Sequence, residues 1–259
     1  MITRIAFAFA LATLVSGNSF AADDPFCGKW KLNFDKSKIA GQQMKMEELG
    51  GNKLRFDDGS VTDTIVMDGT DQPIQNGGTM ALTKLGPNSI RMVIKRNGKV
   101  ASSMVHSISD NGQIQTIKGT STRPDGSTSD FNVETKRVGG GSGWSGTWES
   151  TEVKVTRPDE FEISTYGDSG YSFYVPAYEE KLNFNFDGKD YTATGPQVTP
   201  GSSSSAKRVD RQTFDMTEKL KGKAVAETRF QVSSDDKTLT ETEHRPGQPK
   251  PMTFIYERM

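Results

Sequence analysis

The chain has 259 residues but a single cysteine, Cys27, and only two histidines. A disulfide framework needs paired cysteines and a zinc module needs clustered Cys and His, so neither is expected, and no metal or cofactor site is read. Neither sign of charge dominates: 32 Lys and Arg face 33 Asp and Glu, a formal net charge of -1. Nucleic acid is not an expected partner, because phosphate binding needs a basic face, and a polybasic membrane-surface role lacks support for the same reason. No apolar run reaches the roughly 20 residues of a membrane-spanning helix. Long amphipathic helices are missing as well, since only 35–40 and 177–182 have room for a turn or two.

Catalytic signatures are equally scarce. Gly-Lys occurs four times, never followed by Ser or Thr, so there is no phosphate loop. Gly141-x-Gly143-x-x-Gly146 matches a dinucleotide fingerprint on paper, but a Trp-bearing strand follows it where a helix is required. Asn183-x-Asn185-x-Asp187-Gly188 imitates a calcium loop whose twelfth position is Thr194 in place of a bidentate Glu. Neither His106 nor His244 accompanies a nucleophile elbow, so no enzyme activity is expected and no catalytic residue is nominated.

What is present begins with an address. Arg4 precedes an apolar run at residues 5–15, and Ser16-Gly17-Asn18-Ser19-Phe20-Ala21 closes it with small and polar residues. Residues 1–21 are expected to be a signal peptide cleaved after Ala21 or Ala22, which makes the mature protein periplasmic or secreted, with no integral membrane span. Phe26 before Cys27 is not a lipoprotein signature; the thiol is either a lone one or an intermolecular bridge.

The remainder reads as two copies of one unit. Gly28-Lys29-Trp30 recurs as Gly146-Thr147-Trp148, Met67-Asp68-Gly69-Thr70-Asp71 as Phe186-Asp187-Gly188-Lys189-Asp190, and Asn97-Gly98-Lys99 as Lys221-Gly222-Lys223; each copy closes on an arginine, Arg137 or Arg258. The expected domains are 26–138 and 144–259, with the Gly-rich stretch 139–143 as a flexible linker between them. Within each copy the apolar period is two: Ile90, Met92 and Ile94 alternate with Arg91 and Lys95, and Val100, Met104 and Ile108 share one parity. Asn-Gly and Asp-Gly pairs punctuate these runs, as hairpins require. Eight to ten short antiparallel strands per copy form either an up-and-down barrel or a sandwich.

The Gly-x-Trp near each start and the arginine at each end resemble the calycin families, the lipocalins and fatty-acid-binding proteins, and through Asp187-Gly188-Lys189-Asp190-Tyr191 and Thr194-Gly195 the chain is similar to bacterial exported lipocalin-like proteins. The resemblance implies an all-β chain of two tandem up-and-down barrels. It implies Trp30 beneath Arg137 and Trp148 beneath Arg258, each cation over an indole contributing roughly 0.5 to 2 kcal/mol.

The copies differ most in aromatics. All six tyrosines lie in copy two, and residues 161–191 hold most of them, whereas copy one has Met44, Met46 and Met67 in the comparable region, read as gap fillers. Aromatic strand residues build cores, and they also line sites for small apolar or sugar ligands, since tyrosine offers both a ring face and a hydroxyl. The expected function is therefore an exported binding protein that holds a small apolar or aromatic ligand in a barrel, with Phe173, Tyr174, Phe184, Phe186 and Tyr191 as candidate contacts. His106, on the apolar parity of its strand and opposite Phe230 of copy two, is either hydrogen-bonded to Ser102 or Ser107 or a polar handle for ligand. The alternative function is a structural or envelope-interaction module with side-chain-filled barrels.

Overall fold

The computed structural model describes residues 24–157 and 160–259; the expected signal segment 1–21 and its cleavage site lie outside them. The strands are β1 (Gly28–Leu32), β2 (Gln43–Leu49), β3 (Lys53–Asp57), β4 (Thr62–Val66), β5 (Gln72–Pro73), β6 (Thr79–Gly86) and β7 (Ser89–Arg96). They continue as β8 (Lys99–Ile108), β9 (Ile114–Thr122), β10 (Thr128–Gly139), β11 (Gly146–Val155), β12 (Glu160–Tyr166) and β13 (Gly170–Val175). The last are β14 (Glu180–Asn185), β15 (Ser202–Asp210), β16 (Thr213–Leu220), β17 (Lys223–Val232), β18 (Thr238–His244) and β19 (Met252–Arg258). A 3-10 turn at Pro176–Tyr178 occupies part of the second short helical candidate, Glu179 ends it in the left-handed region, and β14 begins at Glu180. No helix among the described residues is long and apolar enough to cross a membrane.

Two antiparallel sheets form two tandem barrels. Their orders are β4-β3-β2-β11-β10-β9-β8-β7-β6-β5 in barrel 1 and β14-β13-β12-β1-β19-β18-β17-β16-β15 in barrel 2. The two lists match strand for strand, β5 apart, so the repeat seen in the sequence is a repeat of topology. Both seams close at the turn that follows the fourth strand of the unit. In barrel 1 the Gln72 side chain accepts from Val66 N and donates to Val66 O (2.8 Å each), imitating a strand neighbour, and Asp68 bridges to Thr83. In barrel 2 the bridges Lys181 to Thr194 and Tyr191 to Ser204 stitch β14 to β15.

One expectation is corrected: the Trp-bearing strands are exchanged between copies. β1 lies between β12 and β19, and β11 lies between β2 and β10. Barrel 1 is thus built from Ile39–Arg157 with Arg245–Pro251, and barrel 2 from 24–38, 160–244 and Met252–Met259, in place of 26–138 and 144–259. Trp30 pairs with Arg258 and Trp148 with Arg137, each guanidinium Cζ standing 4.2 Å from the ring centroid. The physical reason is chain economy. β10 and β11 are joined by a short loop and form a local hairpin, whereas bringing β1 to β10 would close a loop of most of the copy.

Of the stretch 139–143, Gly139 ends β10 opposite Thr147 and residues 140–143 lie in the β10–β11 hairpin loop inside barrel 1, so the stretch links no domains. Arg137 holds that loop, donating through Nε to Gly112 O (2.8 Å), through Nη2 to Gly143 O (2.7 Å) and through Nη1 to Ser145 O. Arg258 does the same work on the segment before β1, reaching Cys27 O (2.6 Å) and Pro25 O (2.5 Å), and it ties that segment to Asp236 O (2.5 Å) between β17 and β18. The glycine of Gly-x-Trp follows from this closeness: at Gly28 and Gly146 a Cβ would collide with the guanidinium of Arg258 or Arg137.

Each barrel buries its own core. Barrel 1 packs Leu54, Ile65, Leu82, Ile90, Met104, Ile117, Phe131 and Trp148 among others. Barrel 2 packs Trp30, Ile163, Phe184, Phe214, Leu239 and Tyr256 with their neighbours. A bulge in the ladder of β7 and β8 falls between Ile94 and Lys95 and skips Ala101, so Val100 turns outward to 41% exposure while Ala101 and Ser102 are both buried.

Candidate functional site

The interior of barrel 1 is read row by row from the ladder. Ile90, His106, Ile117 and Val133 oppose one another across β7 to β10; the next row is Met92, Met104, Gly119 and Phe131; the next is Ile94, Ser102, Ser121 and Ser129. Beyond that row, on the same parities, come Arg96 and Arg123. One end of the barrel interior is therefore polar, with Ser102, Ser121, Ser129, Arg96 and Arg123 all at 5% exposure or less.

Several of these groups are buried without a partner. Arg96 Nη1 and Nη2, Ser102 Oγ and both ring nitrogens of His106 make no hydrogen bond among the described residues. Leaving a buried polar atom unsatisfied costs about 1 to 3 kcal/mol, more when it is charged. Burial holds the Arg96 guanidinium below its ordinary range, an effect that the Asp63 charge opposes. Desolvation alone pushes His106 down to about 4, so at neutral pH the imidazole is uncharged. Arg123 is different: its Nη1 donates to Ser127 Oγ at 2.9 Å.

The repeat supplies an internal comparison. The registers place Phe230 where barrel 1 has His106, Ala226 where it has Ser102, and Leu220 where it has Arg96. The scaffold accepts apolar side chains at all three positions, so the fold does not demand the polar ones. Barrel 2 instead places Glu241 and Glu243 on its interior parity, with Tyr256 donating to Glu241 Oε2 at 2.8 Å and Thr228 Oγ1 unpartnered.

The aromatic candidates are divided by the structure. Phe173, Phe184 and Phe186 do come together, but mostly with protein rings: Phe173 and Phe184 centroids are 5.4 Å apart, Phe184 and Phe186 5.6 Å, and Phe214 lies within 6.1 Å of all three. Edge-to-face packing of this kind is core packing. Tyr191 sits at the seam, donating to Asp187 Oδ2 at 3.0 Å. Tyr174 is not with them. It alternates with Tyr171 and Phe173 on β13 and faces outward at 37% exposure. His106 does not join them either, for it belongs to barrel 1. The expected hydroxyl partner Ser102 is four residues away along β8, and the imidazole bonds neither to it nor to Ser107.

Sequence reasoning missed two features. Arg96 continues the apolar parity of Ile90, Met92 and Ile94, a signal that was available. The second is a closed polar cluster in barrel 2: the Tyr171 hydroxyl donates to Asp24 (2.7 Å to Oδ1) and accepts from Arg208 Nη1 (2.5 Å), while Arg208 lies about 5 Å from the Phe26, Tyr171 and Phe186 rings. Burial, followed by the bond to Asp24, raises the Tyr171 hydroxyl above its ordinary range. Every member is satisfied, so the cluster reads as structure. Cys27 borders it, and burial, then the Asp24 charge, pushes its thiol up to about 11. On the outer face of barrel 1 an open groove of about 620 Å³ runs between Arg91, Lys118, Asp130 and Lys154.

Comparison of the chain with protein-family models, curated proteins and solved structures finds no match.

Proposed function

We propose that this is an exported binding protein whose ligand enters barrel 1 and leaves barrel 2 side-chain filled. The ligand is a small amphiphile: an apolar body against the cross-strand pair Met80 and Ile94, and an oxygen-bearing, anionic end on Arg96 and Ser102. The supporting observation is the unpartnered guanidinium and hydroxyl at positions where the other copy carries Leu220 and Ala226. A buried cation without hydrogen bonds is costly, and an anion with two or more acceptor oxygens offsets that cost. The basic start and apolar run of residues 1–21 support export, and the Gly-x-Trp and arginine pairs support a lipocalin-like affiliation.

The test uses 1-anilinonaphthalene-8-sulfonate as a fluorescent probe of the folded protein, displaced by octanoate, octyl phosphate or octanol. The anions displace it and octanol does not; Arg96→Leu and Ser102→Ala lose that preference. Displacement by octanol as strong as by the anions, or indifference to both variants, defeats the reading. The outer aromatics and the ring-packed interior of barrel 2 favour a second role for that half, as a structural or partner-contacting module.

A further inference from the structure

Six of the ten methionines, Met44, Met46, Met67, Met80, Met92 and Met104, belong to barrel 1. Two of them face each other directly: Met92 and Met104 are a cross-strand pair on β7 and β8, with 5% and 2% exposure. His106 is the next inward residue on β8, at 5% exposure, with both ring nitrogens unpartnered. Opposed Cβ atoms in such a ladder are about 5 Å apart, and neighbours on one face of a strand about 7 Å. Two thioether sulfurs and an imidazole nitrogen therefore share one buried patch.

We propose that Met92, Met104 and His106 form a site for a soft monovalent metal ion, copper as Cu(I), held by two thioether sulfurs and one imidazole nitrogen. Thioethers select Cu(I), and neutral imidazole suits copper. Burial keeps His106 in the neutral form that ligates. Hard divalent cations need oxygen donors, and the cross-strand neighbours Leu82, Ile90, Ile117 and Gly119 supply no side-chain oxygen. The other copy keeps only one of the three donors, since its equivalents are Met216, Thr228 and Phe230. Met46 takes no part: its sulfur accepts from Gln115 Nε2 at 3.6 Å. The site shares no residue with the Arg96 end, so it stands or falls independently of the amphiphile reading.

The full chain, free of metal and kept anaerobic, is titrated with Cu(I) buffered by bicinchoninate, and uptake is counted by native mass spectrometry. One ion per chain is expected, with Zn(II) left in solution. The double variant Met92→Leu with Met104→Leu, and His106→Phe, each lower the affinity by at least the roughly 10- to 100-fold that loss of an outer-shell partner costs a metal site, while Arg96→Leu has no effect. No uptake, equal uptake of Zn(II), or uptake unchanged in the double variant overturns the site. Ag(I) provides a second measurement that needs no variant. In the unaltered chain carrying carbon-13 methionine methyls, Ag(I) shifts the Met92 and Met104 signals and leaves Met252 in place; shifts confined to other methionines also overturn it.

Discussion

Arg258 lies across the indole of Trp30, joining β19 to β1 inside barrel 2. The same guanidinium donates to three backbone carbonyls, at Pro25, Cys27 and Asp236, so it ties the segment before β1 to the turn between β17 and β18. Arg258→Ala removes one cation-π contact and three charged donors. A loss of about 2 to 4 kcal/mol of barrel 2 stability is expected, part of it discounted because the guanidinium is partly in water. The measurement is the indole Nε1–H resonance. The Trp30 signal, donated to Phe26 O at 2.8 Å, shifts and exchanges faster, while that of Trp148, donated to Trp144 O, does not. A change at Trp148 alone would restore the unexchanged pairing.

The exchange explains what the sequence did and did not disclose. Period-two runs, the recurring Gly-x-Trp and the terminal arginines made strands, repeat and closure legible. Which Trp meets which Arg was not legible, because two copies of one socket accept two copies of one plug, and only loop lengths separate the solutions. Parity would have turned Tyr174 outward, since Tyr171 and Phe173 claim the inner face. Val100 was misplaced by a bulge that no residue type announces. The unpartnered state of Arg96 and Ser102 depends on every neighbouring strand, so no local pattern carries it.

Gly119 is a position whose importance lies in packing alone. A Cβ there would stand 2.6 Å from Met104 Cβ, Phe131 Cζ and Ser103 O. Gly119→Ala overfills the core and lowers barrel 1 stability by about 1 to 3 kcal/mol. A denaturant midpoint equal to that of the unaltered protein would mean the Phe131 ring swings aside at no cost.

Arg96→Leu, which installs the residue of the other copy, tests whether stability is given up for binding. Replacing an unpaired buried guanidinium by an aliphatic chain should raise stability by about 1 to 3 kcal/mol, even though the Asp63 charge loses a favourable neighbour. The same change removes the anion preference of barrel 1. A variant less stable than the parent would show that the guanidinium is satisfied in solution and has no ligand to wait for.

His106 makes stability depend on pH. The folded chain holds the imidazole neutral down to about pH 4, while the unfolded chain takes up its proton near the ordinary 6.5. Between those values the unfolded state binds more protons, so stability falls as the pH is lowered from 6.5 and levels off below 4. The groups facing it across the ladder, Ile90 and Ile117, do not titrate, and Met104 beside it does not either. The full effect is on the order of 3 kcal/mol, since each tenfold drop in proton affinity on folding is worth about 1.4 kcal/mol. Chemical denaturation of the metal-free protein at pH 7, 5.5 and 4 measures it. His106→Phe should flatten the part of the profile that His106 supplies, leaving the carboxylate contribution, and a profile identical to that of the parent would place the imidazole in water.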